Sequence, residues 1–399
     1  IDKKEDLNPP LLWYPAKIPY SNNVFKNSAK SIINSIKSLK GDIKKLIIVD
    51  LDNTLWGGVV GENGTTGIIL GGHDFRGEAY KDFQRELKSL KRKGIQLAIC
   101  SKNDESVALD AINSHNEMIL KIDDFVSYRI NWNNKASNIK SIVEELNIGI
   151  DSVVFIDDNP VERDNVRQLL PEVFVPEWPE NVLNYVNELN KLICFDIPKI
   201  TDEDKNRTKM YLANTKRNKT LKEIEGNNLE NWLLTLDTQV KVSKLNVKNQ
   251  TRVLQLFNKT NQLNLSTRRL TDIELFNWLN DEIRELFVFS VADKFGDLGI
   301  IGLSSFSLTN KKVEINDFIL SCRAMGREIE LSMLHFIKKE AIKLGAREMY
   351  AIYKPTERNR PTLDVLRNCD FKEKDINLFS ANDLKNKFNK PSSISITYE

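Results

Sequence analysis

Between residues 41 and 190, short apolar runs alternate with stretches of helical spacing. Leu46-Ile47-Ile48-Val49 is a compact run that stops at Asp50. Gly94 to Cys100 is a second run, Val153-Val154-Phe155-Ile156 a third, and Val173-Phe174-Val175 closes the series. Tyr80 to Lys91 and Asn138 to Leu146 carry helical spacing between them. Near-continuous apolar strands separated by helices predict βαβ units and a parallel sheet buried on both faces. Ahead of this region, Pro9, Pro10, Pro15 and Pro19 punctuate an extended lead-in, and Ser31 to Leu39 reads as a short amphipathic helix. A second αβ region follows, with strands at Leu286 to Val291, Gly299 to Phe306, Val313 to Leu320 and Glu348 to Tyr353, and a helix from Gly326 to Leu344. The expected division is a lead-in over 1–40, a first α/β domain over 41–190, a helical connector over 191–238, a second α/β domain over 239–382, and a linker tail over 383–399.

Composition narrows the function classes. The chain has 399 residues, of which 41% are hydrophobic and 29% charged, enough to bury cores in two or three domains. With 58 basic and 56 acidic side chains the formal net charge is +2, so neither nucleic acid nor an anionic membrane is expected as a partner. No apolar run reaches the roughly 20 residues of a membrane span. The cysteines, Cys100, Cys194, Cys322 and Cys369, lie far apart without CxxC spacing, which points away from a zinc site or disulfide framework and toward a reducing, cytoplasmic setting. The chain begins at Ile1 without a signal segment and reads as one unit of a longer polypeptide.

The candidate chemistry sits where the apolar runs end. Side chains at the C-terminal ends of parallel strands open into the crevice where ligands bind. Asp50-Leu51-Asp52-Asn53-Thr54 follows the first run, placing two carboxylates two residues apart in a turn. The first can face a metal and an electrophile while the second handles protons. Ser101, with Lys102 and Asn103 behind it, follows the second run and can donate to a phosphate. Lys135 precedes a helix and can neutralise a phosphate and a carboxylate together. Asp157-Asp158 follows the third run and supplies oxygen ligands suited to Mg²⁺.

This series resembles the motif set of the haloacid dehalogenase (HAD) superfamily. That resemblance implies Asp50 as nucleophile or phosphate-facing ligand and Asp52 as general acid/base. Ser101 and Lys135 would hold phosphate, and Mg²⁺ would sit at Asp50, Asp157 and the backbone carbonyl of Asp52, with the role of Asp158 open. Longer stretches are similar to the FkbH-like branch: Asp50 to Gly64, Leu97 to Asp104, Phe155 to Arg163, Asn258 to Gln262, Asp293 to Asp297 and Leu320 to Arg327. Proteins of that branch act at polyketide synthase loading steps. They move a glyceryl unit from 1,3-bisphosphoglycerate to the phosphopantetheine thiol of an acyl carrier protein and remove phosphate. Neighbouring polyketide synthase domains are further implied partners.

On that resemblance Cys100 is the candidate for a transient glyceryl thioester, with Lys102 and the metal favouring its thiolate. Adjacent strand residues point to opposite faces, so Cys100 and Ser101 share the site only if the strand breaks at Cys100. Cys322 is the rival, Cys194 and Cys369 read as packing residues, and His73, His115 and His335 lack clustered partners. Arg163 is a candidate contact for a carboxylate or phosphate, or else one half of a surface ion pair. The Gly-rich stretch Trp56 to Asp74 can form a flap but no large cap, leaving the site open to a macromolecule.

The second region resembles the N-acetyltransferase (GNAT) fold through its strand order, Arg323-Ala324-Met325-Gly326 and the turn Tyr353 to Asn359. Arg327 stands where a further glycine is usual, and Cys369-Asp370-Phe371 replaces Gly-Phe. Docking of the pantetheine arm or carrier protein, or plain packing against the first domain, is therefore expected in place of acetyl transfer. The competing functions are an ordinary HAD-type phosphatase acting on a small phosphorylated acid, a non-catalytic docking module, and a true acetyltransferase.

Overall fold

The computed structural model describes residues 9–39, 44–195, 207–223, 229–280, 283–381, 384 and 390–398. Parts of the expected lead-in, connector and tail lie outside them. The first α/β unit is a four-stranded sheet of β1 (Leu46–Val49), β2 (Gln96–Ser101), β3 (Ser127–Ile130) and β4 (Val153–Ile156), in the order β3-β2-β1-β4. All pairings are parallel, with Val49 opposite both Ile99 and Ile156. Every residue of β1, β2 and β4 is buried, which is why their sequences are apolar without alternation. β3 is the strand that hydropathy does not reveal. It lies at the sheet edge, and its Arg129 stays half-buried by pairing with Glu145 at 2.8 Å. Val173-Phe174-Val175 forms a single bridge to Val154 where a strand was expected.

Helices cover both faces. The helix Phe75–Arg92 starts at Asp74, whose carboxylate accepts from the amides of Arg76 and Gly77, and it buries Tyr80, Phe83, Leu87 and Leu90. The helix Lys135–Leu146 is capped by Asn134 and buries Ala136, Ile139, Ile142 and Leu146 on the other face. The flap between β1 and Phe75 holds one turn, Val60–Asn63, and a bridge between Gly57 and Ile69, as its length predicts. In the lead-in, helices Pro10–Ala16 and Asn22–Leu39 replace the extended stretch, and Ala16 is followed by a left-handed Lys17. Pro10 fits the first turn, where its missing amide is not needed, and Pro15 lies inside the helix one residue before its end.

The second sheet comprises β5 (Thr238–Lys244), β6 (Leu263–Asn264), β7 (Arg284–Asp293), β8 (Gly296–Thr309), β9 (Lys312–Leu320), β10 (Glu348–Ile352), β11 (Lys372–Asp375), β12 (Leu378–Ala381) and β13 (Ile394–Tyr398). Their order is β11-β12-β10-β9-β8-β7-β5-β13, with β6 attached to β9. The helix Ile329–Lys343 packs Met333, Leu334, Phe336 and Ile337 into its core. This gives the fold class expected from sequence: a Rossmann-like parallel sheet with a minimal cap, plus a second α/β unit. The tail does not end as linker. Ile394–Tyr398 pairs in parallel with β5, burying Ile394, because its alternating Ile-Ser-Ile-Thr pattern suits an edge strand.

β9 and β10 are parallel neighbours from Lys312/Glu348 to Ile315/Ala351, then part. The gap is filled by the chain itself. Leu263 and Asn264 pair with Leu320 and Ile319, the Leu265 amide donates to Phe318 O at 3.0 Å, and the Lys354 amide donates to Leu265 O at 3.1 Å. Asn359, fully buried, locks this wedge by donating to Asn264 O at 2.9 Å and Lys354 O at 2.8 Å.

Candidate active site

The order β3-β2-β1-β4 reverses direction at β1, so the crevice lies where β1 and β4 end side by side. Asp50 and Asp157 are the first residues after those strands. Lys135, at the start of its helix, reaches between them: Nζ lies 2.9 Å from Asp50 Oδ2 and 2.6 Å from Asp157 Oδ2. All three side chains are buried. Asp158 joins from the next position, and one oxygen from each of Asp50, Asp157 and Asp158 lies within 4.8 Å of the others. The remaining oxygen of Asp50, Oδ1, is buried and has no hydrogen-bond partner among the described residues.

Three carboxylates against one ammonium leave two surplus negative charges, the charge that one divalent cation cancels. The titration behaviour reflects this shortage. Burial pulls Lys135 down, but Asp50 and Asp157 more than offset it and hold the ammonium above its usual range. Burial first, then the charge of Asp50, pushes Asp157 up to about 7. The same two causes raise Asp158. Lys135 stays charged while Asp157 and Asp158 resist ionisation, and a hard cation with oxygen ligands would remove that resistance. The residues therefore fit Mg²⁺, with Asp50, Asp157 and Asp158 to hold it.

Asp52 is kept apart from that cluster. Its Oδ1 accepts from Trp56 Nε1 at 2.8 Å and the Val60 amide at 3.1 Å, and Oδ2 accepts from Asn103 Nδ2 at 2.8 Å. Burial raises its pKa against the pull of these donors, and the charge of Asp50 adds to the rise. A carboxyl with a raised pKa at the mouth of such a cleft can hold and pass on a proton. The turn carrying both acids is fixed from behind. Asn53 adopts positive φ, and its carbonyl accepts from Tyr185 at 2.9 Å and Tyr80 at 3.4 Å. Thr54 Oγ1 bonds the amide and carboxylate of Asp158, tying the β1 and β4 ends together.

Several residues singled out by sequence have other tasks. Cys100 is fully buried among Leu46, Ile48 and Phe155 on the far face of β2, its thiol 3.7 Å from Lys135 O. The strand continues without a break through Ser101, which pairs with Ile130, so alternation turns Ser101 and Cys100 to opposite faces. Burial pushes the thiol up to about 12. Cys100 is thus a packing residue, and the thioester expectation is corrected. Lys102 is ion-paired with Glu162 at 2.6 Å. Asn103 is buried and orients Asp52, and so does not meet a phosphate. Arg163 is buried and donates to the carbonyls of Asp157 and Asp158 at 2.9 and 2.7 Å, holding the loop that carries both acids. Cys322 lies at the opposite end of the first sheet, where its carbonyl accepts from Asn147. Trp56, Tyr80, Tyr185 and Thr54 were not legible as site residues, since each acts on the backbone or orientation of an acid.

Among solved structures, the chain is similar to the N-terminal part of a Bacteroides fragilis protein that contains a phosphatase domain, complexed with Mg. The two are 40% identical over 49% of this chain and 52% of that one, with a TM-score of 0.47. The present chain thus spans about half the length of that protein, at 52%. It is also similar to an N-acetyltransferase from Staphylococcus aureus, 16% identical over 37% of this chain and 99% of that one, TM-score 0.28. A third similar structure is spermidine N-acetyltransferase from Vibrio cholerae in complex with CoA and spermine, 15% identical over 36% and 92%, TM-score 0.28. No protein-family model and no curated protein matches the chain.

Proposed function

We propose that the Asp50 cleft is a Mg²⁺-dependent phosphoryl and acyl-phosphate site of HAD type, acting on a small phosphorylated acid. The observation that carries this reading is Asp50 itself. One of its oxygens is held by Lys135, and the other is buried beside two further carboxylates with no hydrogen-bond partner among the described residues. Mg²⁺ would supply charge neutralisation and polarisation of a phosphate oxygen. In phosphate removal an Asp50 oxygen bonds to phosphorus as the phosphorus–oxygen bond to the leaving group breaks, and Asp52 gives that oxygen its proton. Asp52 then takes a proton from the water that hydrolyses the aspartyl-phosphate.

The finer reading is transfer of a glyceryl or phosphoglyceryl unit from 1,3-bisphosphoglycerate to the phosphopantetheine thiol of an acyl carrier protein, as in FkbH-like starter loading. There the thiol sulfur bonds to the acyl carbon, the acyl carbon–oxygen bond to phosphate breaks, and the thiol proton passes to Asp52. With Cys100 buried, the arm attacks directly and no enzyme thioester forms. Two features support a macromolecular partner. The flap is too short to close the cleft, and Trp132 on a loop, with Val161 and Phe75 in first helical turns at the same end of the sheet, are 75%, 71% and 67% exposed.

The test is intact-mass analysis of a holo carrier protein incubated with Mg²⁺, 1,3-bisphosphoglycerate generated in situ, and the full chain. A glyceryl or phosphoglyceryl adduct on the carrier, retained with Cys100→Ala and lost with Asp50→Asn, supports transfer. Loss of the adduct with Cys100→Ala restores the covalent route. Phosphate release without any adduct leaves a phosphatase.

A further inference from the structure

The helix Asn22–Leu39 is 18 residues long, and from residue 22 to residue 33 every side chain but the half-buried Val24 is exposed. Those exposed side chains are ordered. Phe25, Ala29, Ile32 and Ile36 follow one another at i, i+4, i+7 and i+11, a seam about 16 Å long on one side of the helix. Ile33 widens it along one flank. Phe25, Ile32, Ile33 and Ile36 are 48%, 60%, 53% and 47% exposed. A single surface isoleucine is ordinary, whereas a row at this spacing is the side that one helix offers to another.

The helix has little propensity of its own. Asn22, Asn23, Asn27, Ser28, Ser31 and Ser35 are residue types that favour caps and turns over helix interiors. A helix of this composition depends on packing of its apolar side.

The charges indicate what packs there. Residues 9–39 contain four lysines and neither Asp nor Glu, in a chain of 58 basic and 56 acidic side chains. At about 100° per residue, Lys26 and Lys30 lie on the Ile33 flank of the seam. Both are exposed, and neither forms an ion pair with a described residue. A second copy laid seam to seam would set lysines against lysines, an arrangement that selects against itself. A bilayer surface suits a helix with a broad apolar face and cations across its polar face. Here the apolar row is narrow and the side opposite it is largely Asn and Ser. An acidic helix answers both features, because its own apolar row interleaves with the seam while its carboxylates meet the lysines.

We propose that the helix Asn22–Leu39 docks a partner protein through an acidic amphipathic helix, packed lengthwise on the Phe25–Ile36 seam with Asp or Glu beside Lys26 and Lys30. None of these residues belongs to the Asp50 cleft, so the docking surface stands whatever reaction that cleft performs.

The test titrates the full chain into two fluorescently labelled three-heptad peptides and reads their anisotropy. One peptide has Leu and Ile along its seam and Glu on both flanks; the other has Lys in place of every Glu. The Glu peptide should bind at least about tenfold more tightly than the Lys peptide. Ile32→Ser combined with Ile36→Ser should weaken the Glu peptide at least about tenfold, the loss expected when two seam contacts are removed. Lys26→Glu combined with Lys30→Glu keeps the seam and should invert the preference, so that the Lys peptide binds better. All four positions are exposed, and circular dichroism and thermal unfolding of each variant should match the unmutated chain. Two further measurements address the other occupants: sedimentation velocity of the chain alone, and flotation with vesicles of phosphatidylserine and phosphatidylcholine in equal parts. The chain should sediment as a monomer and stay off the vesicles. Equal binding of both peptides, no binding of either, a preference that charge reversal does not invert, or binding that survives loss of Ile32 and Ile36 each overturns the proposal. So does a dimer dissolved by the isoleucine variant, or flotation abolished by it.

Discussion

Both sheets contain a pair of neighbouring parallel strands, β1 with β4 and β9 with β10, and the openings at their C-terminal ends are treated in opposite ways. At the first, the strand ends carry Asp50 and Asp157, and Asp50 Oδ1 has no hydrogen-bond partner among the described residues. At the second, residues 263–265 enter as a strand fragment and use up the backbone groups that a ligand would otherwise meet. Parallel pairing therefore creates the opportunity for a site, while the residues that fill the opening decide whether there is one. The contrast leaves carboxylates open at the first pair and backbone groups satisfied at the second.

The largest expected effect comes from removing the cation that holds the open gap together. Lys135→Met leaves Asp50 and Asp157 buried face to face, and should cost about 3–5 kcal/mol in chemical denaturation without metal. Mg²⁺ should recover part of that loss, whereas an equal loss with and without Mg²⁺ would separate the lysine from the metal site. Next is Arg163→Met, which frees the carbonyls of Asp157 and Asp158. Mg²⁺ affinity should fall about 10–100-fold by calorimetry, as when other supports of metal ligands are removed. At the sealed gap, Asn359→Ala strands the carbonyls of Asn264 and Lys354, and should lower unfolding stability by about 1–3 kcal/mol. It should leave Mg²⁺-dependent phosphate release unchanged, and a matching fall in turnover would break the division of labour between the sheets.

The smallest effect is a pH dependence. The Asp157 pKa is raised from 3.8 to about 7 by burial and by Asp50. In that range the folded chain binds a proton that the unfolded chain has released, so this group's contribution to stability falls as pH rises toward about 7. Thermal unfolding of the metal-free protein should therefore move down between about pH 5 and about pH 8. Mg²⁺ should raise the midpoint more at the higher pH, where it need not displace a proton. A larger Mg²⁺ effect at the lower pH would contradict the charge assignment.

What was legible in the sequence follows the same line. β1 and β4 are buried on both faces, so hydrophobicity alone marked them, and the acids at their ends were visible as the residues where each run stops. β3 escaped because Arg129 interrupts a four-residue edge strand, and β13 because its polar surroundings masked a short alternating pattern. Asn103 and Arg163 carried the right chemistry for a phosphate, but their hydrogen bonds go to Asp52 and to backbone carbonyls, a choice set by the turns between them. Cys100 shows the limit most clearly. It adjoins Ser101 in sequence, yet an unbroken strand turns it into the core. The wedge at residues 263–265 was hidden for the opposite reason, since two residues of pairing leave no periodicity to read.

The most direct test of the central claim is a calorimetric Mg²⁺ titration of the full chain and its Asp50→Asn and Asp158→Asn variants, each checked for folding by circular dichroism. The account expects one Mg²⁺ per wild-type chain, binding abolished by Asp50→Asn and weakened by Asp158→Asn. Folded variants that bind Mg²⁺ as the wild type does would contradict it.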